Sequence, residues 1–227
     1  MYRMHSSLLL LLLCCSAMAA QTAVPSVQAN GSATITVKPD QAQLDVGVVT
    51  NGATAQDASQ QNANLSTTVQ AALSKVLGSA GTLQTVSYYV TPRYSNTPNQ
   101  TSVIVGYTAS NTVRVTTTDL SQIGLLIDTA NQAGANSVGG LSFGLQNPEP
   151  LVEQALTQAT KQATAHAVAI AAGLGGKLGA VLSAQEGSSY APILVGAASA
   201  GAAVTTPVQT GTVTVYATVT IQVVLAQ

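Results

Sequence analysis

Few residues in this chain are able to do acid–base or metal chemistry. Seven Lys and Arg stand against eight Asp and Glu in 227 residues, and of two histidines only His166 lies outside an N-terminal leader. Catalysis needs a base, a nucleophile and an orienting group that converge, and a metal needs several ligands. Neither Glu153 nor Lys161 falls one helical turn from His166. A secreted hydrolase could combine His166 with Ser or Asp residues, but the Gly-x-Ser-x-Gly turn that exposes a nucleophilic serine is missing. Gly173-Leu-Gly-Gly-Lys-Leu-Gly has the glycines of a phosphate cradle. It follows a helical pattern where a cradle would open one and has no Ser or Thr after the lysine, so it reads as a helix stop. Asp40 beside Pro39 is a single carboxylate, a good turn former and a weak calcium ligand. Tyr88, Tyr89, Tyr94 and Tyr107 lie on strand patterns. They are read as cross-strand packing with hydroxyls at the rim, the rival being a stacking platform for a ligand. Arg93 and Arg114 stand out because charge is scarce; each either lays its stem over apolar surface or pairs with Asp45 or Asp128. The expected catalytic, cofactor-binding and metal residue sets are therefore empty, and no cofactor is expected.

Composition narrows the class. Charged residues make up 7% and aromatic residues 4%, with no Trp and a formal charge of −1, so the core must be built from Val, Leu and Ala. No basic run exists, which argues against nucleic acid as a partner. At the N-terminus, Arg3 and His5 precede an apolar run from Leu8 to Cys15, followed by Ala17-Met18-Ala19. This is the pattern of a secretory signal peptide over 1–19, cut after Ala19 and too short to span a bilayer. Lipidation fits less well, since Leu13 precedes Cys14. Cleavage would remove Cys14 and Cys15, leaving a mature chain without disulfide or thiol.

The elements that must position these side chains follow in order. Residues 20–30 read as a flexible lead-in. Gly31–Val37 alternates, and alternation resumes through Ala42, Leu44, Val46 and Val48, so Pro39 is expected at a bend or bulge within one long strand. Thr54 and Asp57 resemble a capping box before a helix running through Ala58, Asn62, Leu65, Val69, Leu73 and Val76. Leu83–Tyr94 and Ser102–Thr118 read as an antiparallel hairpin. Asp119 should cap a helix ending at Gly134, and Val138–Leu145 is a strand. Leu151–Leu174 is the longest helix, with Ala155, Ala159, Ala163 and Ala167 in one row suited to close approach to a sheet. Leu178–Gln185 is a strand, Glu186–Pro207 a long mobile or partner-contacting loop, and Val213–Leu225 a final strand of strict alternation. The order β-α-β-β-α-β-α-β-loop-β predicts an α+β fold, with mixed or antiparallel sheets carrying helices on one face.

Four stretches together resemble the SIMPL-domain family, which includes bacterial periplasmic immunogenic proteins. They are Gly31 to Val37 with Pro39-Asp40-Gln41-Ala42; Thr85 followed by Pro92-Arg93-Tyr94; Gly106-Tyr107-Thr108-Ala109-Ser110-Asn111; and Gly134-Ala135-Asn136 with Val138 to Phe143. The resemblance covers 31–227, divided into a 31–147 β-α-β-β-α-β core and a 148–227 part that could form a subdomain. It implies a periplasmic protein, with outer-membrane association as a variant, without cofactor or a transferable catalytic set. Some relatives are linked to stress tolerance and form homo-oligomers. The expected function is non-catalytic, acting through homo-oligomeric assembly or contacts with an envelope protein, in a setting of envelope or oxidative stress tolerance. A secreted hydrolase or small-ligand binder is the alternative. An outer-membrane β-barrel is a further one, disfavoured because helices interrupt the strands.

Overall fold

At Pro39-Asp40 the chain changes sheets. The computed structural model describes residues 24–95, 101–191, 193–194 and 206–227. In it the first alternating run is β1 (Ser26–Val37) and the second is β2 (Gln41–Gly52). β1 pairs with β8 (Val213–Ala226), which also pairs with β6 (Lys177–Ala191), giving a three-stranded sheet of order β1-β8-β6. β2 sits in the middle of a five-stranded sheet. Its order is β3-β4-β2-β5-β7, from β3 (Gly81–Tyr94), β4 (Ile104–Thr117), β5 (Ser137–Gly144) and β7 (Ile193–Leu194). Every pairing is antiparallel. The expectation of one bent strand is thus corrected to two strands in different sheets. Pro39 ends one ladder because it has no N–H to give. Asp40 fixes the crossing: its N–H donates to the Gly144 carbonyl at 3.0 Å, and its Oδ1 accepts from the Gln146 N–H at 2.7 Å.

Two other boundaries move. Ser26–Asn30, placed in the flexible lead-in, already belong to β1, with Val27 and Ala29 buried by the same alternation that continues through Gly31. Glu186–Ala191, placed in the loop, extend β6, with Glu186 opposite Val219 and Ala191 opposite Thr214. Their Ala, Gly and Ser composition hides a strand whose ladder is supplied by β8. Ile193–Leu194 of the same expected loop form β7 against β5. The signal-peptide and lipidation expectations, and residues 192 and 195–205 of the expected loop, lie outside the described residues.

Each sheet carries its helices on one face, which makes the fold α+β. On the large sheet lie α1 (Ala55–Leu77) and α2 (Ile123–Gln132), the latter preceded by a 3-10 turn at Leu120–Gln122. Thr54 caps α1, its Oγ1 accepting from the Asp57 N–H at 3.1 Å and donating to the Asp57 carboxylate at 2.7 Å. Leu44, Val46, Val69, Leu73, Val115, Leu126 and Phe143 form the core beneath. Gly134 turns the chain after α2 at φ +103°, in the region L side chains avoid, and a Cβ there would meet Leu65 Cδ1 at 2.5 Å.

On the small sheet lies α3 (Glu149–Gly173). Ala155, Ala159, Ala163, Ala167 and Ala171 are all buried against β1 and β8, together with Val213, Val215, Ala217 and Val219. The alanine row lets the helix ride directly on the strand. At the point of closest approach stands Gly31, where a Cβ would sit 2.0 Å from the Ala159 carbonyl oxygen.

Candidate functional site

His166 and Gln162 stand one turn apart on α3, and both reach the outer edge of β1. His166 Nδ1 lies 2.8 Å from the Asn30 carbonyl oxygen, and Gln162 Oε1 accepts from the Ser32 N–H at 2.6 Å. A carbonyl only accepts, so Nδ1 is the donor and carries the hydrogen. Asn30, Ser32, Tyr216, Thr218 and Thr220 line the shallow depression around them, and no carboxylate is among its lining residues. Of the Ser and Asp residues that a hydrolase arrangement would combine with this ring, Ser32 lines the depression and no Asp does. Among the described residues, no three of His, Cys, Asp and Glu converge as metal ligands.

Asp40, Asp45, Arg114 and Asp128 each engage other parts of this same chain. Arg114 pairs with Asp45 across β4 and β2, Nε to Oδ1 at 2.7 Å and Nη2 to Oδ2 at 2.9 Å. Those hydrogen bonds raise the guanidinium further above its ordinary value, so it stays charged. Asp128 instead takes Thr206, whose Oγ1 donates to Oδ1 at 2.8 Å. Asp40 is committed to the crossing already described. Gly173 to Gly176 end α3, the Gly176 N–H donating to the Ala171 carbonyl at 2.9 Å, so the phosphate-loop likeness is a helix stop.

The tyrosines are not direct cross-strand partners. Tyr88 faces Asn111, Tyr89 faces Ser110, Tyr94 faces Ile104 and Tyr107 faces Pro92, so no tyrosine opposes another across the ladder. Successive residues of a strand point to opposite faces, which splits Tyr88 from Tyr89. The expected rim packing is therefore only partial: Tyr88, Tyr89 and Tyr94 are each more than half exposed. They belong to a larger feature. β2 ends at Gly52, opposite Tyr107, while β4 runs back to Ile104 and β3 on to Tyr94. Past Gly52 the large sheet narrows to a two-stranded arm with Val103, Ile104, Val105 and Tyr94 at 50–56% exposure.

Three further residues were not singled out from the sequence. Asn62, fully buried on α1, donates from Nδ2 to the carbonyls of Val48 at 2.8 Å and Ala109 at 3.1 Å. Asn136 closes β2 just beyond β5, accepting from the Val49 N–H at 2.8 Å and donating to its carbonyl at 2.7 Å. Tyr190, in the stretch read as a loop, accepts from the Leu145 N–H at 2.5 Å. An Asn on the apolar stripe of a helix was the one available signal, because only a bonded Asn survives there.

These features define a two-sheet α+β protein whose polar side chains chiefly satisfy its own backbone, with one exposed arm. The chain belongs to the SIMPL family, described as a protein of unknown function (DUF541), which matches residues 27–223. It is similar to the 26 kDa periplasmic immunogenic protein of Brucella melitensis, 27% identical over 133 residues, covering 57% of this chain and 53% of that protein. The 26 kDa periplasmic immunogenic protein of Brucella abortus matches with the same identity and coverage, 27% over 133 residues. The chain thus spans about half the length of the curated relatives it matches, 53% of each.

Proposed function

We propose that the chain works in the periplasm or envelope as a non-catalytic SIMPL protein, through contacts between copies made by the β3–β4 arm, in a setting of envelope or oxidative stress tolerance. The exposed arm is the observation that carries this. A two-stranded ribbon is marginal alone, and clustered exposed apolar side chains mark contact surfaces. Charge poses little barrier to like meeting like: β3 holds only Arg93, and on β4 Arg114 is neutralised by Asp45. The location is supported by the leader pattern and by the relatives' names. Among the described residues, no helix is long and apolar enough to cross a membrane.

The test is the solution mass of the chain from Ala20 onward, by size-exclusion chromatography with light scattering. A discrete multimer that dissociates when Ile104 and Val105 are both changed to Ser is the expected result. A monomeric parent, or a multimer indifferent to these changes, overturns the proposal.

A further inference from the structure

We propose that Gln162 and His166 close the free edge of β1, keeping the three-stranded sheet from adding a strand supplied by a second copy of the chain. This concerns the opposite sheet from the arm and stands without it.

Among the described residues, β1 has β8 on one side only. The Pro25 carbonyl accepts from the Leu225 N–H at 2.8 Å, and the β1–β8 register runs without a shift from Ser26 to Val37. Since backbone groups alternate sides along a strand, odd-numbered residues bond to β8 and even-numbered residues offer their N–H and C=O to the open side. Such a row is a template for strand addition. At its middle stand the Asn30 carbonyl and the Ser32 N–H, the two groups held by His166 and Gln162 at 2.8 and 2.6 Å. An incoming strand would need both. The helix can reach them because Gly31, between them, lets α3 lie on the backbone. The alanine at 163 faces the strand while its neighbour Gln162 hangs over the edge. The two side chains thus do for this edge what a covering strand would do.

The experiment compares the parent with Gln162→Ala/His166→Ala, in the full chain from Ala20 onward, by light scattering over a concentration series. The expected result is a concentration-dependent rise in mass of about twofold or more over the parent, as the joining of two parental particles edge to edge requires. Adding Ser32→Pro, which deletes the outward N–H, should return the mass to the parental value; Gln162→Glu alone, which keeps an acceptor, should not raise it. Parental mass at every concentration, or added mass that survives Ser32→Pro, overturns the proposal. In the parent itself, the Ser32 amide should exchange at least about tenfold more slowly than that of Thr34, the next outward residue, because a held N–H must open first. Equal rates would also overturn it.

Discussion

Asp45 and Arg114 are direct cross-strand partners, and the guanidinium holds the carboxylate through two hydrogen bonds of 2.7 and 2.9 Å. Their side chains are 29% and 41% exposed, so water and salt weaken the attraction. Arg114→Ala is expected to cost less than about 1 kcal/mol. Urea unfolding at low and high ionic strength checks this, and the difference between parent and variant should shrink as salt is added. A loss several times larger would mean that the pair positions the sheet in a way its exposure does not suggest.

Asn62→Leu keeps the side chain's approximate size but leaves the Val48 and Ala109 carbonyls without their bridge from α1. Unmade hydrogen bonds at a buried site cost about 1–3 kcal/mol. A melting temperature lower by several degrees is expected, with secondary structure retained below the transition. An unchanged melting temperature would show that the gained apolar contact offsets the lost bonds.

At Gly31 the smallest possible addition should be costly. An alanine Cβ would lie 2.0 Å from the Ala159 carbonyl oxygen and 2.4 Å from the Ala163 nitrogen, both backbone atoms that no rotamer can move aside. Gly31→Ala is expected to destabilise by on the order of 3 kcal/mol through displacement of α3. Denaturant unfolding measures it. Gly173→Ala, where a Cβ meets nothing within 4 Å, is the matched control and should be close to neutral.

Asp119 makes stability depend on acid. Hydrogen bonds from Ser121, then from Gln122, hold its carboxyl below the ordinary aspartate value. A group whose folded pKa is depressed stabilises the fold above its unfolded pKa, about 4, and loses that contribution as pH falls through the folded value. Asp119→Ala should therefore melt lower than the parent at pH 7, and the two melting curves should converge as the pH is taken well below 4. A gap that stays constant down to the lowest pH would mean that the cap acts without its charge.

The strands and helices of this fold are legible because each buries one face, and burial at period two or at helical spacing leaves a direct trace in residue order. Val213 to Leu225 and the alanine row from Ala155 show this most plainly. Sheet membership leaves no such trace. Gly31–Val37 and Ala42–Val48 alternate alike, and whether Pro39 bends one strand or separates two depends on β8, far along the chain. Glu186–Ala191 is hidden for a related reason: its strand state comes from backbone pairing, while its small side chains could belong to any loop. At the candidate site, the Asp45–Arg114 pair was readable as one of a few options because charge is scarce. The roles of Gln162 and Gly31 were not, since both depend on how closely α3 approaches β1. The arm was visible as a hairpin, but its bareness follows from where β2 stops.

β1 and β8 are the first and last strands in chain order, with Ser26 opposite Val224 and Val37 opposite Val213. The two sheets therefore differ in when they can form. Of the large sheet, every strand but β7 has been made once Gly144 emerges, although only β3 and β4 pair as neighbours in sequence. The small sheet depends on one of the longest loops the chain can close, a contact that slows folding. In chain order β1 precedes both of the elements that cover its two backbone edges. α3, which carries Gln162 and His166 for one of those edges, stands ahead of β8, which fills the other, so the two edges of β1 draw on different parts of the chain.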